Sequence, residues 1–137
     1  MEESILKQRA AAFDYLFDAV VVTDLEGMII DWNVGSEDLY GYSKKEVIGE
    51  PVSILHIPAD LENITSEVLT GIANDGKWMG EVRMLRKDGS IGWIESVCVP
   101  LLNDESQPIG ALGINRDITK RVEREKQLLV MSRLTNG

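Results

Sequence analysis

One histidine and one cysteine in 137 residues leave little room for metal or nucleophilic chemistry. His56 would have to anchor by itself any histidine-centred metal cluster or Ser-His-Asp triad. Cys98 can build neither a disulfide framework nor a cysteine zinc site within one chain, and in the apolar run 97–102 it reads as a small buried hydrophobe. The 23 acidic side chains fall mainly in turns and on helical segments, and no nucleophile, base and orienting group stand out as a set. Against 14 basic residues they leave a net charge of −9, which argues against nucleic acid as a partner, because phosphate binding needs clustered Lys and Arg. A non-catalytic domain without a metal is expected.

The length and a 44% apolar composition fit one compact core. The longest apolar runs, 19–22 and 97–102 with Pro100 inside, are far too short to cross a bilayer. Residues 1–7 open with two glutamates and lack a basic region leading into an apolar one. No secretory signal and no membrane contact are therefore expected, and the location expected is cytoplasmic.

The pattern along the chain sorts into five blocks. Residues 5–17 carry Leu6, Ala10, Phe13 and Phe17 at helical spacing, with Leu16 beside them, which is the stripe of an amphipathic helix. Residues 19–23 and 28–32 form a hairpin around the turn Asp24-Leu25-Glu26-Gly27. From residue 33 to 74 short helical patterns take over, the longest over 59–73 with Leu61, Ile64, Val68, Leu69 and Ile72 on its period and Asn74-Asp75-Gly76 as its stop. Three strands follow, at 78–86, 91–102 and 108–116, the first two joined by the tight-turn dipeptide Asp88-Gly89. Residues 119–131 are dense in Lys, Arg, Glu and Gln and read as an exit helix.

The order β-β, short helices, β-β-β and several local blocks resemble the PAS family of sensory domains. The first half of that resemblance is carried by residues 27–33, Leu39-Tyr40-Gly41-Tyr42-Ser43 and Glu46-Val47-Ile48-Gly49. The second half is carried by residues 78–81 and 86–89, Trp93, Pro100 and Asp117-Ile118-Thr119, so that the match runs roughly from Phe13 to Thr119. It implies an α+β fold with a five-stranded antiparallel sheet in the order 2-1-5-4-3, short helices on one face, and flanking N- and C-terminal helices. The expected organisation is an N-terminal helix at 1–17, a sensor domain at 18–119 and an output helix at 120–137.

Alignment with the family places Val21, Thr23, Val82, Met84, Ile94, Ser96, Cys98, Ala111, Gly113 and Asn115 on the helix-covered inner face, which carries no charge. Thr23, Met84, Ile94, Ser96, Cys98 and Asn115 are the expected ligand contacts. Because several inner residues are small, either the helices press close or a cavity remains for a neutral ligand. The opposite face, with Val20, Val22, Leu85, Trp93, Val97, Val99, Leu112 and Ile114, is too apolar to leave in water. Leu6, Phe13, Leu16 and Phe17 are the expected cover and dimerisation residues, and a homodimer is the expected assembly.

The resemblance also bears on cofactors. The light-oxygen-voltage branch bonds its flavin through a cysteine where this chain has Val52; His56 replaces a flavin-binding glutamine, and Met84 and Ile94 stand where that branch has amides. Haem-binding members place a histidine on the long helix, where this chain has none. Photoactive FMN and haem are therefore not expected, whereas a non-covalent FAD or a small neutral ligand stays open. His56 itself is expected to be structural or solvent-facing. Asp117 and Thr119 are expected to transmit the signal into the exit helix by capping its free amides, with Arg86 or Lys87 as a partner for Asp117. The tail Met131-Ser132-Arg133-Leu134-Thr135-Asn136-Gly137 resembles the residues before the phospho-accepting histidine of many sensor kinases. A relay module of a two-component histidine kinase is the expected function, against a ligand-free dimerisation module or the sensor of a diguanylate cyclase or transcriptional regulator.

Overall fold

The structure is a computed structural model and describes residues 18–136. The expected N-terminal helix, with Leu6, Phe13, Leu16 and Phe17, lies outside the described residues.

Strands β1 (Ala19–Asp24) and β2 (Ile29–Trp32) form the opening hairpin. Its turn is closed by the Asp24 carboxylate, which accepts from the main-chain N–H of Glu26 at 2.9 Å and of Met28 at 3.0 Å. Two short helices follow, α1 (Val34–Tyr40) and α2 (Lys44–Val47), then 3-10 turns at Val52–Leu55 and Pro58–Asp60 and the long helix α3 (Leu61–Asp75). Each short helix starts where its sequence supplies a cap. Asn33 accepts from Ser36 N–H at the head of α1, and Ser43 with Glu46 makes a reciprocal capping box on α2. Helix α3 begins two residues later than its apolar period suggests, because the chain at Pro58 is wound as a 3-10 turn first. It stops at Gly76, whose φ of 76° is the left-handed conformation that glycine adopts without penalty.

The last three strands, β3 (Trp78–Leu85), β4 (Ile91–Leu102) and β5 (Pro108–Asp117), join the hairpin in one antiparallel sheet ordered β2-β1-β5-β4-β3. Strand β1 therefore pairs with the last strand, Val20 opposite Ile114, as the resemblance implies. Helix α4 (Thr119–Asn136) leaves directly from β5 and runs further than the 119–131 pattern indicates.

The core lies between the sheet and the helical segment. Ile29, Trp32, Tyr40, Val47, Leu55, Met84 and Ile94 are all at most 1% exposed. The Trp32 and Tyr40 rings meet at 5.4 Å with a 36° tilt, an arrangement that favours aromatic pairs. Asn33 ties this core to β1: its Oδ1 accepts from Val20 N–H at 2.8 Å and its Nδ2 donates to the Asp18 carbonyl at 3.0 Å.

Candidate functional site

Strands β1, β3, β4 and β5 present alternate residues to the helices, and α3 does not fill the space above them. A cavity of about 280 Å³ remains. Its floor is Val21, Thr23, Val82, Ser96, Cys98, Ala111, Gly113 and Asn115, all expected on the inner face from the alignment with the family. Its roof comes from the α3 stripe Leu61, Ile64, Val68 and Leu69, and its end wall from Val52, Leu55 and His56 in the turns before α3. Leu69 is still 63% exposed, so the cavity opens past α3. No charged side chain among the described residues lines it.

Of the six expected contacts, Thr23, Ser96, Cys98 and Asn115 line the cavity. Met84 and Ile94 do not. They sit at 0% and 1% exposure in the hydrophobic core, where their bulk closes that end of the inner face. Burial pushes the Cys98 thiol above its ordinary range, which keeps it protonated and unreactive.

His56 is not solvent-facing: it lines the cavity, and its Nδ1 is buried without a hydrogen-bond partner among the described residues. Burial lowers its pKa, opposed by a hydrogen bond with the Arg83 main chain and by the Asp60 carboxylate. The turn that carries it is pinned to β3 by a forked pair, Arg83 Nε and Nη2 to Asp60 Oδ2 and Oδ1 at 3.0 and 2.9 Å. The sequence signal for the roof is the α3 stripe itself, whereas the only signal for His56 is the resemblance, which sets it at the position of a flavin-binding glutamine.

A second constellation lies where β5 becomes α4. The Asp117 carboxylate caps the helix, accepting from Thr119 N–H at 2.9 Å, and lies 3.7 Å from Arg86. Lys87 pairs with Glu46 instead. Thr119 does not cap a helix amide as expected. Its hydroxyl turns back to the sheet and accepts from the main-chain N–H of Trp93 at 3.0 Å, while Trp93's carbonyl accepts from Ile118 N–H at 2.9 Å. Trp93 thus spends both main-chain groups on the junction rather than on β5, whose ladder to β4 ends at Ile94 and Asp117. Further contacts hold the start of α4 near the sheet: Arg121 pairs with Glu81 of β3, and Lys126 Nζ lies 5.8 Å from the Trp93 ring centroid. No group of His, Cys, Asp and Glu among the described residues could hold a metal, and no described helix is long and apolar enough to cross a membrane.

A family model described as PAS fold matches residues 29–115. The chain belongs to the PAS family. The PAS domain of a protein from Colwellia psychrerythraea, solved by crystallography, shares 69% identity at a TM-score of 0.81, covering 85% of this chain and 98% of that one. An RNA-binding light-oxygen-voltage receptor shares 26% identity at a TM-score of 0.77, covering 99% of this chain and 39% of that one. Among curated proteins, Two-component system protein A of Emericella nidulans is 34% identical over 108 residues, 78% of this chain. The PAS chain spans only 16% of that relative's length. It is a PAS signalling module whose relatives are much longer proteins.

Proposed function

We propose that this PAS domain senses a small neutral molecule in the inner cavity and relays its presence through the Asp117–Thr119 junction to α4 and a C-terminal effector. The observation that carries the reading is continuity: β5 lines the cavity at Ala111, Gly113 and Asn115 and reaches the junction two residues later. A molecule that alters the packing of Asn115 thus acts on the strand that ends at Asp117. Such a relay needs only a few kcal/mol of differential interaction between two states.

The parent we propose is a cytoplasmic two-component histidine kinase, supported by the curated relative's name and by the resemblance of the 131–137 tail. A homodimer is also proposed, through Leu6, Phe13, Leu16 and Phe17 and through α4, which leaves Leu128, Leu129, Met131 and Leu134 at least 60% exposed. At about 280 Å³ the cavity lies just below the roughly 300–1,000 Å³ of drug-sized ligand sites, which favours a small molecule over FAD.

Native mass spectrometry and the absorbance spectrum of freshly purified protein test for the ligand. Asp117→Ala in the full-length parent tests the relay: the domain stays folded, because a lost cap costs only about 0.5–2 kcal/mol, while effector output changes. A variant that folds and signals like the parent sinks the relay.

A further inference from the structure

We infer that the cavity selects an uncharged, largely apolar molecule bearing a hydroxyl group, and that His56 is the residue that reads the hydroxyl. The inference rests on the ligand-sensing reading above and names its ligand class.

Buried polar atoms nearly always have a partner, so the exceptions call for an explanation. His56 Nδ1 is one, and it belongs to a residue in the cavity wall. Asn115 is a second, independent observation. It lines the cavity floor, the residue is only 7% exposed, and its amide makes no hydrogen bond among the described residues. These groups sit in a wall otherwise made mainly of side chains such as Val21, Val52, Leu55, Ile64 and Val68.

The chemistry of the two groups narrows what satisfies them. Burial favours the neutral imidazole, and the Arg83 main chain, which favours the protonated ring, fits a ring N–H directed at it; with Nδ1 buried and without a partner among the described residues, that N–H is assigned to Nε2. Nε2 therefore carries the proton and Nδ1 presents a lone pair. An occupant must offer a donor to Nδ1, which a ketone, ester or ether cannot. Ammonium and carboxylate ions would bring an unpaired charge into an uncharged wall. A hydroxyl donates to Nδ1 and still accepts from the Asn115 amide. As for size, an apolar cavity of about 150 Å³ holds benzene, so about 280 Å³ accommodates one ring with short substituents.

Para-cresol and para-xylene, which differ by hydroxyl for methyl, are the probes. Titration of the 137-residue chain at pH 7.5, followed by amide and imidazole nitrogen chemical shifts, reads both affinity and site. The expected result is at least about tenfold tighter binding of p-cresol, the worth of one satisfied buried acceptor, with the His56 Nδ1 resonance moving for p-cresol and not for p-xylene. His56→Leu should erase the preference and His56→Gln, which keeps an acceptor, should retain part of it; thermal unfolding checks that both fold. Equal affinities in the unmutated chain, or a preference that survives in a folded His56→Leu, overturns the role of His56 while leaving the cavity a ligand site. Binding of neither probe overturns this inference and removes support for ligand sensing itself.

Discussion

Trp93 donates its main-chain N–H to the Thr119 hydroxyl at 3.0 Å, which bonds the first residue of the exit helix to the middle strand of the sheet's second half. Ile118 N–H completes the clasp on the Trp93 carbonyl at 2.9 Å. The direction in which α4 leaves is thus set by hydrogen bonds to β4 as well as by the covalent link from β5.

Thr119→Val keeps the side-chain shape and deletes the hydroxyl, so the partly buried Trp93 N–H loses its acceptor. Urea unfolding should report a loss of about 1–3 kcal/mol, the cost of an unsatisfied buried donor. Thr119→Ser, which keeps the hydroxyl, should recover most of it. An unchanged midpoint in Thr119→Val would mean that water replaces the bond at no cost.

Stability should fall between pH 7.5 and 5.5, and His56 should be the reason. Its folded pKa lies below the ordinary value of 6.5, so the unfolded chain binds the proton more readily and stability is lost as pH drops through this window. The groups around it stay fixed there. Asp60 remains charged because Arg83 holds its pKa below the usual carboxylate value, and burial keeps Tyr40 and Cys98 protonated. As no other histidine exists in the chain, thermal melts of His56→Gln should be nearly flat across the same range. A slope equal to that of the unmutated chain would contradict the burial of a neutral imidazole.

Two glycines of β5 should respond oppositely to alanine. A Cβ at Gly110 would lie 2.0 Å from the Thr23 carbonyl oxygen, so Gly110→Ala must push β1 and β5 apart and should cost about 1–3 kcal/mol. At Gly113 no atom comes nearer than 3.8 Å, since the position faces the cavity. Gly113→Ala should stabilise the domain by about 0.4–1 kcal/mol through the stiffer unfolded chain. Denaturant midpoints of the two variants check both signs, and a destabilised Gly113→Ala would argue against empty space there.

The sequence made the fold readable because its punctuation is local. Asp24 to Gly27, Gly76 and Asp88-Gly89 each end or start an element by their own chemistry, strand alternation divides the sheet into two faces, and the resemblance sets which residues belong to the inner one. The contents of that face were less readable, because alternation says which way a side chain points and not what meets it. Met84 and Ile94 share the face with Ser96 but are buried in the core rather than lining the cavity. For His56 the resemblance, which sets it at a flavin-binding glutamine, is the one pointer, because its environment is made by β3 and the pinned turn, 23 residues apart at the Arg83–Asp60 pair. Thr119 was assigned to the junction correctly but to the wrong partner, since its bond to Trp93 spans 26 residues of sequence.

The central claim is that the state of the cavity reaches α4 through the junction. Val68→Phe tests it without touching the sheet, because Val68 is on α3 and a larger ring there fills the cavity from the roof. Amide hydrogen exchange of Trp93, Ile118 and Thr119 is the readout, since each of these N–H groups donates to another junction group. The account predicts that exchange at all three shifts in Val68→Phe while the unfolding midpoint of the domain is retained. Exchange that changes only at the cavity walls, with Trp93, Ile118 and Thr119 as in the unmutated chain, would contradict it.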